Sequence, residues 1–251
     1  MRKKSLGQHF LTNPQIAEKI VSFLKNNEIC VEIGAGEGIL TEELIKKFSK
    51  VIVIEKDADL IPFLKEKFKE SCEIIRGDVL IDGESIFSSL NEFSVASNLP
   101  YNISSPITLM LLRFYKKIPE MVLMYQKEVA EKIAKEISLL SCAVYPFFNV
   151  NEVMKLKPGA FSPPPKVDSA VLYFERKNEI PEFNLKKYLN FLKVAFQNRR
   201  KVLFKKLKGM IDEEGLKNIY KNMNLREDIR IDGITREEVF KLYLEVAGEK
   251  A

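Results

Sequence analysis

Cys30-Val31-Glu32-Ile33-Gly34-Ala35-Gly36-Glu37-Gly38 decides how this chain is organised. A short apolar run ends in three glycines at alternate positions, and residues 39–48 continue with helical spacing. A strand that turns through glycines into a helix is the opening of a ligand-binding strand–helix unit. Glycine lets the backbone bend tightly and come close to a ligand. Gly34 and Gly36 are therefore candidate ligand contacts. The spacing is GxGxG rather than the GxGxxG of dinucleotide sites, because Ile39 follows the last glycine.

Downstream, the alternation continues. Residues 50–55 form a β-branched run, 59–68 a helix, 72–78 a third strand, 93–97 a fourth, and 104–115 a helix. Residues 121–124 read as a fifth strand leading into a helix over 127–137, and 169–174 close the set. Strands alternating with helices predict an α/β fold with a parallel, doubly wound sheet. Residues 177–182 are polar and broken by Pro181, and the remainder of the chain is all-helical: 185–209, 212–222 and 235–247. The expected boundaries are a catalytic domain over 1–178 and a small all-α domain over 179–251.

Glu55 ends the second strand, Asp78 the third and Asn98 the fourth, 21, 23 and 20 residues apart counting from Gly34. All fall at the carboxyl ends of parallel strands, where open α/β sheets bind ligands. One wrapped ligand can touch all four. Glu55 can accept from two ribose hydroxyls and Asp78 from an adenine amino group. Acidic residues at strand ends also cap helices, so each alone is ambiguous; the common rhythm favours the ligand.

Asn98-Leu99-Pro100-Tyr101 follows the fourth strand. Taken alone it can be an ordinary turn, since Asn and Pro are common turn formers. It also suits methylation of an exocyclic amine. The lone pair of such an amine is delocalised into the ring. The Asn98 side-chain oxygen and the Leu99 carbonyl can accept its two N–H bonds and turn that lone pair toward an electrophile. Pro100 stiffens the turn, and Tyr101 can stack on a base.

Composition excludes other classes. Apolar residues make up 46% of 251, enough for a large core. No run approaches the ~20 apolar residues of a membrane span. The start, Met1-Arg2-Lys3-Lys4-Ser5-Leu6-Gly7, lacks the apolar stretch of a signal peptide. Cys30, Cys72 and Cys142 are widely spaced, as free thiols of a reducing cytosol are. His9 is the single histidine, which argues against a Ser/His/Asp triad and against a His-based metal site. Asn13 or Thr12 can cap a helix starting at Pro14.

The net charge of +5 is uneven. Residues 1–184 carry 24 basic and 25 acidic residues, whereas 185–251 carry 16 and 10. Arg199, Arg200, Lys201, Lys205, Lys206 and Lys208 crowd into ten residues with no acid among them. Such a run is either a solvated helix face or a contact for a polyanion, which it would bind with counterion release.

The pieces together resemble one family, the small-subunit ribosomal RNA adenine N6,N6-dimethyltransferases of the KsgA type. The matching segments, in order, are Leu6-Gly7-Gln8-His9-Phe10-Leu11, Val31–Gly38, Val53-Ile54-Glu55, Gly77-Asp78 and Asn98–Ser104, then Gln126–Ala130, Phe161–Val171 and Ala195–Lys201. The resemblance implies a class I, Rossmann-like methyltransferase fold and S-adenosyl-L-methionine as cofactor. By position, His9, Leu11, Gly34, Glu55, Asp78 and Asn98 match the family's cofactor contacts. Asn98, Leu99 and Tyr101 match its target-amine site, and Phe161 an aromatic facing the target base opposite Tyr101. Each stacking ring would contribute ~1–3 kcal/mol, offsetting the few kcal/mol of base extrusion.

The implied substrate is a pair of adjacent adenines in a hairpin loop near the 3′ end of small-subunit rRNA, met within an immature subunit. The helical domain would grip RNA through its basic run, and a cytoplasmic monomer is expected. Residues 133–141 depart from the family by a shorter loop that lacks its Gly/Ser-Lys-x-Tyr-Gly signature. Two rivals stand beside this reading. The antibiotic-resistance type, which acts on a large-subunit adenine, typically reads Asn-Ile-Pro-Tyr and lacks the full Phe161–Val171 pattern. A non-catalytic assembly factor would not need Glu55, Asp78 and Asn98.

Overall fold

Nine strands and eleven α-helices make up the computed structural model, which describes residues 9–249. Residues 1–8, including Leu6, Gly7 and Gln8 of the family resemblance and the basic start, lie outside the described residues. The chain divides into two compact units.

The first unit holds the chain up to Ala134 together with Asn149–Arg176. Its seven-stranded sheet is built from β2 (Ile29–Ile33), β3 (Lys50–Glu55), β4 (Glu73–Arg76), β5 (Ser94–Asn98), β6 (Glu120–Gln126), β7 (Phe148–Leu156) and β9 (Ser169–Arg176). The order is β4-β3-β2-β5-β6-β9-β7. β4, β3, β2, β5 and β6 run parallel, while β9 lies antiparallel on β6 with Met124 opposite Val171. The sheet is therefore mostly, not wholly, parallel. β3 carries a continuous apolar run, Val51–Ile54, and the central strands are buried on both faces: Cys30, Val31, Val51, Val53 and Val95 are all at most 1% exposed.

This topology fixes where a ligand can sit. From β2 the chain winds outward through β3 to β4, then returns to the other side of β2 as β5. Helices α2 (Ile39–Lys47) and α5 (Ser104–Leu111) leave the carboxyl ends of β2 and β5 on either side of that reversal. An open sheet has its natural crevice at such a switch point.

Three features differ from the sequence-based expectation. First, α1 (Pro14–Ser22) begins at Pro14 with Asn13 as its cap, the side chain accepting from Gln15 N at 2.9 Å, but β1 (Phe10–Leu11) precedes it. β1 pairs antiparallel with β8 (Phe161–Ser162). Second, β7 and helix α4 (Val79–Ser89) occupy stretches with no predicted element. Third, helix α6 (Lys127–Ala134) ends before residue 137, and the segment Lys135–Phe148 groups with the C-terminal helices rather than with the sheet.

The second unit comprises Lys135–Phe148 and the chain from Lys177 on. Its helices are α7 (Leu139–Val144), α8 (Leu185–Phe196), α9 (Leu203–Leu207), α10 (Glu213–Asn222) and α11 (Arg236–Ala247). Tyr188 and Tyr243 pack at 4.8 Å between centroids, and Phe183 meets Phe240 at 4.9 Å. Buried Tyr188 donates to the Cys142 carbonyl at 2.8 Å, which ties α8 to α7. The short loop that departs from the family is closed by a reciprocal cap: Ser141 N donates to Ser138 Oγ and Ser138 N to Ser141 Oγ.

The predicted continuous helix over 185–209 is broken. Asn198 takes a positive φ of 49°, and the chain restarts only at Leu203. Lys206 folds back so that its Nζ donates to the carbonyls of Ala195 and Gln197, capping the end of α8.

Candidate active site

A crevice at the switch point is lined by His9, Leu11, Gly34, Gly36, Glu55, Asp78, Asn98, Leu99 and Tyr101, with apolar walls from Ile33, Ile54 and Val79. Candidate residues scattered from His9 to Tyr101 in sequence thus meet in one place.

The glycine turn shapes the floor. Gly34 (φ 73°) donates from its N–H to the Ile54 carbonyl at 2.8 Å, and Gly36 (φ 59°) donates to Glu55 Oε2 at 3.0 Å. A Cβ on Gly36 would fall 2.5 Å from the Phe10 ring. Gly36→Ala combines left-handed strain of about 1–2 kcal/mol with a clash against Phe10. It should lower the melting temperature by several degrees and weaken cofactor binding. Gly159→Ala, where a Cβ meets nothing within 4 Å, should leave both unchanged. Thermal melts and cofactor titrations of both variants check this.

Glu55 is 5% exposed and also accepts from Asp57 N at 2.7 Å. Burial pushes its carboxyl up; the N–H groups of Asp57 and Gly36 pull it back. Asp78 combines the two roles open to it. Its Oδ1 caps α4 by accepting from Leu80 N at 3.0 Å, while Oδ2 meets Lys56 Nζ at 2.7 Å. That lysine holds its carboxyl below the usual range.

Asn98 has one end of its amide fixed. Nδ2 donates to the His9 carbonyl at 2.8 Å. Neither its Oδ1 nor the Leu99 carbonyl takes a hydrogen bond from a described residue. Leu99 itself is buried and anchored by its N–H to the Met124 carbonyl at 3.3 Å. Two acceptors therefore stand side by side at the crevice. The Tyr101 hydroxyl pairs with Ser169 Oγ at 2.6 Å, and its ring stacks on His9 at 5.4 Å. His9 Nδ1 lies 2.8 Å from the Pro163 carbonyl.

Phe161, the aromatic expected opposite Tyr101, sits in β8. It does not line the crevice. It pairs with Leu11 in the β1–β8 ribbon and is 4% exposed within the hydrophobic core. Burying a phenylalanine is worth ~1.5–3 kcal/mol, and here that packing sets its position.

Residues 1–248 match the family model for ribosomal RNA adenine dimethylase. The chain belongs to this family. Among the dimethylase relatives, ribosomal RNA small subunit methyltransferase A of Mycoplasma mobile is 38% identical over 234 residues, 91% of each chain. The protein of the same name from Sulfurihydrogenibium is 38% identical over 247 residues, covering 93% of this chain and 94% of that one. A dimethyladenosine transferase structure from Plasmodium falciparum superposes with a TM-score of 0.78 at 27% identity, over 96% of this chain and 98% of that one. The 23S rRNA methyltransferase ErmE shares the fold, with a TM-score of 0.73 at 23% identity over 95% and 99%. The sheet and its crevice are thus a methyltransferase fold.

Two residues of the crevice escaped the sequence reading. Lys56, next to Glu55, orients Asp78. Glu32 is fully buried inside β2 and lines the crevice. The signal for Glu32 was a lone charge within an apolar strand. In the second unit, the basic run divides. Arg199 Nη2 donates to the Ile137 carbonyl at 2.6 Å, Lys206 caps α8, and Lys208 pairs with Glu213 at 2.7 Å. The exposed side chains of Arg200, Lys201 and Lys205 have no hydrogen bond or ion pair among the described residues. No described helix is long and apolar enough to cross a membrane.

Proposed function

We propose that this chain methylates N6 of two adjacent adenines in a hairpin loop near the 3′ end of small-subunit rRNA, with S-adenosyl-L-methionine as donor. The observation that carries this reading is the pairing of the Asn98 amide with the Leu99 carbonyl at one crevice, the amide end fixed by His9.

The crevice fits the cofactor by its donor set. Glu55 and Asp78 are acceptors for hydroxyl and amino groups, Gly34 and Gly36 permit close backbone approach, and Ile33, Ile54 and Val79 would cover an adenine face. His9 and Leu11 would close it from the N-terminal side. Once bound, the cofactor supplies a methyl group on a sulfonium, an electrophile strong enough to need no metal or general base. The protein's part is positioning. Asn98 Oδ1 and the Leu99 carbonyl accept from the target amine, draw its lone pair out of conjugation with the ring and stabilise the positive charge that builds on nitrogen as its bond to the methyl forms and the methyl–sulfur bond breaks; the surplus N–H proton is then lost to solvent. The Tyr101 ring, braced by Ser169 and His9, offers a stacking surface. The helical unit binds the RNA through Arg200, Lys201 and Lys205, and the protein works as a cytoplasmic monomer on the immature small subunit.

Transfer of labelled methyl groups to immature small subunits, followed by mapping of the modified adenines, tests this. The expected result is label on two neighbouring small-subunit adenines. Label on a large-subunit adenine would replace this reading with the resistance-type activity. Binding to the subunit without transfer would leave an assembly factor.

A further inference from the structure

Glu32 is a fully buried acid for which the proposed chemistry has no use. Its side chain lies in the middle of the sheet at the carboxyl end of β2, 0% exposed, and it lines the same crevice as Glu55. Oε2 accepts from Thr41 Oγ1 of α2 at 2.5 Å, while Oε1 is buried without a hydrogen-bond partner. An ionised carboxylate left in that state is expensive.

The charged and titratable groups around it supply no ready counterion. Glu55, at the end of β3, carries the same sign. Lys67 of α3 (Ile61–Phe68) is the cation that favours its charge, and it is already committed to Glu42 at 2.5 Å and to the Glu37 carbonyl at 2.9 Å. Lys56, the lysine of the crevice lining, is tied to Asp78. Cys30 of β2 and Cys72 ahead of β4 are buried thiols that Glu32 pushes further from ionisation. From β5 the facing residue is Ala96. Burial accordingly raises the Glu32 carboxyl to about 8, with Thr41 opposing the shift and Glu55 adding to it. Burial and the unpartnered Oε1 thus favour the protonated form of Glu32 in the ligand-free protein.

The reaction changes the ligand's charge. A sulfonium cofactor carries one more positive charge than the thioether left after methyl transfer. We propose that Glu32 distinguishes the two: it binds the sulfonium form as a carboxylate, releasing its proton, and the thioether form as a neutral acid, so that replacing spent with fresh cofactor is coupled to a proton. This rests on the cofactor reading above. Glu32 is a specificity-determining residue that favours the fresh cofactor over the product.

The test is calorimetric titration of the full chain with S-adenosylmethionine and with S-adenosylhomocysteine, in buffers of different ionisation enthalpy. The wild type should release close to one proton on binding the sulfonium and far less on binding the thioether. The ratio of the two affinities should rise by up to about tenfold per pH unit and flatten above the carboxyl's free-state range. Glu32→Gln should abolish the extra release and flatten the ratio. Infrared difference spectra of the wild type give the same answer without a variant: the protonated-carboxyl band should vanish with the sulfonium and persist with the thioether. Equal proton release for both ligands, or an extra release that survives in Glu32→Gln, would overturn the proposal while leaving the cofactor reading intact. Absence of binding by the wild type would remove both.

Discussion

Asn98→Ala should reduce single-turnover methyl transfer by about 10²–10³-fold and leave RNA affinity unchanged. The magnitude comes from what the side chain does. Its Nδ2 is held by the His9 carbonyl, so the amide cannot flip, and Oδ1 meets the target amine already oriented. A preorganised acceptor of this kind acts on charge that develops only as the new bond forms, so its loss lowers the rate of the chemical step rather than substrate binding. Alanine removes both the acceptor and the anchor to His9, so the Tyr101–His9 stack should also loosen. Asn98→Asp separates the two losses. It restores an acceptor but replaces the N–H that reaches His9 with an oxygen facing a carbonyl. The aspartate variant should therefore recover little of the rate. Labelled-methyl transfer under single-turnover conditions, with filter binding of the same RNA, measures both quantities. Turnover close to wild type in Asn98→Ala would show that Leu99 and Tyr101 position the amine without it.

The strand–helix rhythm and the residues at strand ends were legible because they depend on local rules. Mostly apolar strands of five or six residues, glycines with positive φ after β2, and acids at carboxyl ends all announce themselves within a few positions. Three things were not legible, each for a tertiary reason. The β1–β8 ribbon is two residues long on each side and joins positions about 150 apart, too short to leave a periodicity. It is this ribbon that places Phe161 beside Leu11 of the crevice lining. The grouping of residues 135–148 with the C-terminal helices depends on contacts such as Tyr188 to Cys142. Glu32 was visible as a charge in an apolar strand, but its isolation from the lysines nearby is a matter of three-dimensional pairing.

The basic run shows the same limit and leads to the second large effect. By sequence, six cations are equivalent; in the structure three are occupied and three are not. Replacing Arg200, Lys201 and Lys205 together by Gln should lower the slope of log affinity against log salt by about 2, at roughly 0.7–0.9 for each phosphate no longer neutralised. At moderate salt the RNA affinity should fall by an order of magnitude or more. The melting temperature should hold, because these exposed side chains contribute no pairing within the described fold. Lys206→Gln should do the reverse. Its Nζ satisfies carbonyls at the end of α8, where a cation also meets the negative end of the helix dipole. Removing it should cost about 1 kcal/mol of stability with a smaller change in salt slope. Filter-binding titrations across a salt series and thermal melts of the two variants distinguish a polyanion contact from a helix cap. An unchanged slope in the triple variant would mean that the helical unit's free cations are only a solvated face, and that RNA affinity resides elsewhere in the chain.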